Sequence, residues 1–193
     1  MYGILELRIV KLTILIIIAF LGFSLISSGA LAEEKFERSG FWGGLDVGVG
    51  FVQRSLAGIE EDENNFFLGF EGGYTINPHF LVGVELSGWL LESSDVNDPS
   101  KGEGISQVFL ITRLYPSNSM GLFAKVGGGY VSYWNNRPGE PSRKSGWGLT
   151  FGGGYDFPLN NNFAITPFIT YSFGDADDQD HNVWTLGIGL TFQ

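Results

Sequence analysis

Trp184-Thr185-Leu186-Gly187-Ile188-Gly189-Leu190-Thr191-Phe192 alternates without a break, with a large apolar residue at every even position and glycine or threonine at every odd one. A repeat of two is the period of a β-strand, whose successive side chains leave on opposite faces. One face of this strand is hydrocarbon; the other is small and weakly polar. The pattern recurs upstream. Residues 45–51 set Leu45, Val47, Val49 and Phe51 against Asp46, Gly48 and Gly50, and residues 66–75 set Phe66, Leu68, Phe70 and Tyr74 against Gly69, Glu71, Gly73 and Thr75. Stretches at 80–87, 122–130, 147–156 and 165–172 behave alike. The stretch 105–115 is less regular, because Val108-Phe109-Leu110-Ile111 is apolar throughout; Gln107 and Arg113 are assigned to its inner face. Eight such strands predict an all-β fold, an eight-stranded antiparallel up-and-down transmembrane β-barrel.

The connections support that plan. Ile76-Asn77-Pro78-His79, Pro116-Ser117-Asn118-Ser119-Met120 and Pro158-Leu159-Asn160-Asn161-Asn162 are short and hold proline and asparagine, which preset turn geometry. They read as periplasmic turns. The connections between them, roughly 53–64, 91–104, 135–145 and 174–182, are longer and charged, as the outward loops of such barrels are. Side-chain size orients the two faces. A surface of glycine, serine and threonine suits the crowded interior of an eight-stranded barrel, so the bulky apolar set faces hydrocarbon. Aromatics near the strand ends would form two interfacial girdles: Trp42, Tyr74, Phe80, Tyr155, Phe163 and Phe192 on the turn side, Tyr130, Trp134, Trp147 and Trp184 on the loop side.

The N-terminus reads as an address. Arg8 and Lys11 precede the apolar run 12–23, and Ala30-Leu31-Ala32 supplies a small-x-small cleavage site, so residues 1–32 are expected to be a cleaved signal peptide. A retained membrane helix is the alternative, against which the run is short of the roughly 20 residues a span requires. Residues 33–40 then form a short N-terminal segment and 41–193 the barrel domain. The chain has no cysteine, which leaves hydrogen-bond ladders and packing to stabilise it. Its net charge is −10, and loss of Arg8, Lys11 and Glu6 with the signal takes it to −11. Nucleic acid is therefore not an expected partner, because its backbone calls for lysine and arginine.

Inside, the small face carries Asp46, Glu71, Glu85, Asp156, Arg113 and Lys125 toward the periplasmic end. An unpaired buried charge costs several kcal/mol, so the two bases are expected to pair among the four acids. Such a lumen ion-pair network is either a plug or a gate that admits ions, and the inward glycines leave room for water-filled cavities. Outside, Arg137, Arg143 and Lys144 make the third loop basic, while Glu60, Glu61, Asp62 and Glu63, then Glu92, Asp95, Asp98 and Glu103, and finally Asp175, Asp177, Asp178 and Asp180 make the others acidic. The bases are candidate contacts for lipopolysaccharide phosphates.

Other chemistries fit poorly. Gly40-Phe41-Trp42 matches the Gly-x-Trp of lipocalins, but a lipocalin keeps its large apolar residues inside and dresses its exterior with charge. No Gly-x-Gly-x-x-Gly precedes a helix, and the aspartates of 175–180 lack the glycine and glutamate of an EF-hand loop. Neither His79 nor His181 has serine two positions on, as in lipid A deacylating barrels; His181, Asp178 and Ser94 meet only the composition of a palmitoyl-transferring one. No catalytic residue, metal or cofactor is expected.

From Leu45 onward the chain resembles the small outer-membrane β-barrel family, the OmpA-like and opacity-type surface proteins. The resemblance is carried by Gly69-Phe70-Glu71-Gly72-Gly73-Tyr74 followed by Asn77-Pro78, by Gly152-Gly153-Gly154-Tyr155 followed by Pro158, and by Thr166-Pro167-Phe168. Trp184, Leu186, Ile188, Leu190 and Phe192 resemble the family's assembly signal, although Gln193 follows where the family stops at the aromatic. The resemblance implies the bacterial outer membrane as location, with lipid, lipopolysaccharide and the barrel-assembly machinery as partners. It also implies a monomer with a structural or surface-interaction role and extracellular ligands met through the loops. A narrow ion-conducting pore is the alternative.

Overall fold

The computed structural model describes residues 38–56, 59–93, 102–135, 142–175 and 180–193. The signal-peptide expectation for residues 1–32 and the loop base Arg137 lie outside them, as do Asp95, Asp98, Asp177 and Asp178. The strands are β1 (Gly40–Leu56), β2 (Ile59–Asn77), β3 (Phe80–Ser93), β4 (Gly102–Leu114), β5 (Leu122–Asn135), β6 (Ser142–Tyr155), β7 (Phe157–Pro158), β8 (Phe163–Asp175) and β9 (Asp180–Phe192). From β1 to β6 each strand pairs antiparallel with the next, β7 and β6 both pair with β8, β8 pairs with β9 and β9 with β1, so the sheet closes on itself. No strand of the ring has a free edge, which removes the main hazard of an all-β chain.

β6 and β7 are one stave of an eight-stave barrel. The register is unchanged across the break, Gly154 opposing Phe168 and Phe157 opposing Ile165. The unpaired positions are Tyr155 and Asp156, which face Pro167 and Thr166, and Pro167 has no N–H to give to a ladder. Asp156 turns its own backbone N–H to the Gly121 carbonyl on the other side, at 3.0 Å. Thr166-Pro167-Phe168 thus marks a notch in the wall.

The strands run further than their alternation suggests. β1 and β2 continue to Leu56 and from Ile59, so most of the expected first loop is paired hairpin. Glu103, expected in the second loop, is buried in β4, and His181, expected in the fourth, is buried in β9. Charged residues lower strand propensity but do not forbid a ladder that neighbouring staves complete.

The face assignment follows side-chain parity. Leu110 is 70% exposed, Phe66 53% and Leu90 60%, whereas Leu81, Phe109 and Val183 on the other parity are fully buried. Trp42 departs from the expected girdle: it is buried in the interior, with Nε1 donating to the Val82 carbonyl at 3.3 Å. Its parity matches that of Asp46, four residues on, so strand direction overrides the preference of an indole for an interface.

Several of the inward glycines are seats for rings. A methyl on Gly83 would stand 2.8 Å from the Trp42 ring, and one on Gly154 would stand 2.8 Å from Phe123. Gly50 lies against Trp89 and Gly187 against Phe168 in the same way. Small residues on one stave accept large ones from across the lumen, as the taper of a small barrel requires. Phe67 meets Trp89 at a tilt and Phe168 edge-on, with ring centroids 5.5 and 6.0 Å apart, and all three are buried in the lumen.

Candidate functional site

The six charged residues of the small face come together in the turn-side half of the interior. Asp46, Glu71, Glu85, Arg113, Lys125 and Asp156 are each at most 6% exposed. Register sets the electrostatic problem. Glu71 of β2 lies directly opposite Glu85 of β3, and Arg113 of β4 directly opposite Lys125 of β5. Like charges facing one another across a ladder are destabilising. The lumen resolves both pairs at once. Arg113 gives Nε and Nη2 to Glu71 Oε2 at 3.0 and 2.6 Å, and Lys125 Nζ lies 2.7 Å from both Glu71 Oε1 and Glu85 Oε2. Glu71 therefore holds both bases.

The remaining lone pairs are used by neutral donors. Glu85 Oε1 accepts from Ser87 Oγ at 2.6 Å and from Gln107 Nε2 at 3.3 Å. Asp156 accepts from the Tyr115 hydroxyl at 2.7 Å and from Thr166 Oγ1 at 2.8 Å, while Arg113 Nη1 stands 3.9 Å away. Thr166 in turn meets Thr191 at 2.9 Å. Buried ion pairs stabilise only when such extra bonds complete them. Aromatic faces complete the shell: the Arg113 guanidinium lies between Trp42 and Phe123, at 4.8 and 4.6 Å from their centroids. Asp46 is the exception. It lies against Gly189, and its Oδ1 has no hydrogen-bond partner among the described residues.

Parity along the strands leads to the charges but not to their companions. Trp42, Tyr115 and Thr166 all belong to the network; their inward positions agree with strand parity, but their partners across the lumen do not follow from it. Arg38, just before β1, is also buried: its guanidinium reaches the Met120 carbonyl at 2.7 Å.

The other expected residues are on the exterior or divided. Trp184, Leu186, Ile188, Leu190 and Phe192 all point outward. The Phe192 ring covers Gly43 of β1 across the closing seam, and Gln193 is fixed to Asn162 by its backbone N–H (3.0 Å) and carbonyl (3.1 Å). Arg143 is exposed on the outer parity opposite Trp134, with Nε donating to Ser132 Oγ at 3.0 Å, whereas Lys144 shares the inward parity of Tyr133 and is half-buried. Arg143 and Lys144 therefore lie on opposite faces of β6, and Arg137 lies outside the described residues. His181 is buried in β9, and Asp178 and Ser94 lie outside the described residues.

Residues 18–192 match the model of the outer membrane protein beta-barrel domain. The chain belongs to that family. Its fold is shared by small outer-membrane barrels of known structure. Neisserial surface protein A is similar at TM-score 0.62 and 15% identity, covering 80% of this chain and 97% of its own. Ail, the attachment invasion locus protein of Yersinia pestis, is similar at TM-score 0.53 and 18% identity, covering 81% of this chain and all of its own. At these identities the likeness is one of fold. No curated protein sequence matches this member of the barrel family.

Proposed function

We propose that this chain is a monomeric barrel of the bacterial outer membrane with a structural or surface-interaction role, and that its lumen is a plug. The observation that carries the plug is the pairing of both lumen bases within 3 Å of carboxylates, under a layer of buried rings. Eight staves leave room for side chains and little else. The outward belt of Leu, Val, Ile and Phe supports a bilayer setting, and the exposed Tyr130, Trp147 and Trp184 on its loop side support an interfacial girdle. The alternating strand β9 supports recognition by the barrel-assembly machinery.

Single-channel recording of refolded protein in planar bilayers tests the plug. Silence is the expected result; discrete conductance that changes in Arg113 or Lys125 variants would replace it with a narrow pore. The surface role rests on charged loops and on family likeness to proteins named for the surface and for attachment. Transplanting the loops onto a silent barrel should transfer binding to cells or matrix.

Lipopolysaccharide contact rests chiefly on Arg143, which is exposed on the outer face of β6, opposite Trp134 in the ladder. Arg143→Gln should lower thermal stability in lipopolysaccharide-containing micelles and leave it unchanged in plain detergent. Equal behaviour in both media would remove the lipid contact.

A further inference from the structure

We propose that residues 38–40 form a strap that covers the turn-side mouth of the barrel, with Arg38 as its latch. In the ring of staves β5 stands diametrically opposite β1. Arg38 precedes β1, yet its guanidinium binds the connection that leads into β5: Nη2 donates to the Met120 carbonyl at 2.7 Å and Nη1 to the Asn118 carbonyl at 3.4 Å. The chain therefore crosses the opening. The same guanidinium lies 3.7 Å over the Tyr115 ring, and the Tyr115 hydroxyl donates to Asp156. One residue thus caps the polar layer of Asp156, Thr166 and Thr191 from below.

Gly40 sets the direction of the crossing. It has φ of +76°, and a Cβ added there would meet nothing within 4 Å. The glycine is needed for its left-handed backbone and not for space. Arginine suits the latch because its planar fork can stack and reach two carbonyls at once, which a lysine ammonium cannot.

The strap rests on the closed-lumen reading for what lies above it, and thiol labelling separates the two. The chain has no cysteine, so a single introduced thiol is unambiguous. Thr191→Cys reports the polar layer directly above the strap and Thr185→Cys the layer beside Trp89; both threonines are fully buried. Each is placed in the parent, Arg38→Ala, Arg38→Lys and Gly40→Ala backgrounds and reacted in detergent micelles with a small cationic thiosulfonate.

The cysteine at position 191 should react at least tenfold faster in all three strap variants, and the cysteine at 185 should stay slow. Equal rates at 191 with and without Arg38 would overturn the strap. So would equal acceleration at both positions, which would make Arg38 a general stabiliser. Fast reaction at 185 in the parent would instead refute the plug while leaving the comparison at 191 intact. If Arg38→Ala does not refold, Gly40→Ala, which removes no contact, carries the test.

Discussion

Arg113 is the residue on which the interior turns, since it meets Glu71, approaches Asp156 and lies between two aromatic faces. Arg113→Ala should lower stability by about 3 to 5 kcal/mol, because it leaves carboxylates buried without their base. Urea unfolding in vesicles measures this. Glu71→Gln should fall in the same range and exceed Glu85→Gln, because neutralising Glu85 costs Lys125 one of its two carboxylates, whereas neutralising Glu71 takes a carboxylate from Lys125 and the close one from Arg113. Packing gives a second prediction. Gly50→Ala drives a methyl into the Trp89 indole and should cost about 1 to 3 kcal/mol. Trp89→Leu should relieve part of that loss, so a double-mutant cycle should return a coupling well above 0.5 kcal/mol. At this scale the sequence tells which side chains point inward, because parity is local. It does not tell who meets whom. Glu71 reaches Arg113 from two staves away, and the stagger of a closed sheet that allows this is not written in any one strand. Trp42 was assigned to the rim for a related reason: its neighbours Gly43 and Gly44 hide the alternation that would have pointed it inward.

Among the elements, the seam between β1 and β9 is where the sheet becomes a barrel. Thirteen registered pairs join them, and the bare surface of Gly43 lets the Phe192 ring lie flat on the first strand. Gly43→Leu would set a side chain where the ring edge now stands 2.5 Å from an ideal Cβ. Closure should then slow several-fold in a refolding assay that follows the shift between folded and unfolded bands on gels, while Phe192→Ala should rescue part of the rate. The β6–β8 seam is different, since Pro167 leaves a gap in the ladder that the bond from Asp156 to Gly121 and the Thr166 hydroxyl offset from either side. Eight strands and three proline turns were legible because period and turn chemistry are short-range signals. The upper ends of the strands were not. Glu60 to Glu63 read as loop, yet they are registered against Val52, Gln53, Arg54 and Ser55, where pairing with a neighbouring stave outweighs weak strand propensity.

For the molecule as a whole, the strand order places the charges in two camps. Asp46, Glu71 and Glu85 belong to β1, β2 and β3, while Arg113 and Lys125 belong to β4 and β5, joined by Asp156 between β6 and β7. No single strand reveals this; it follows only when position in the chain and position in the ring are taken together. It also has a consequence for how the polypeptide could be divided. Cleaved between residues 94 and 101, the chain would yield one fragment lined by three acids and one lined by two bases and a single acid, each left with an imbalance that the other offsets. Such halves should reassemble when mixed in lipid, with high salt weakening their first encounter, and an Arg113→Gln, Lys125→Gln fragment should fail to recruit its mate. The ion pairs would then be a form of self-recognition, a means by which two ends of one gene product find the correct complement.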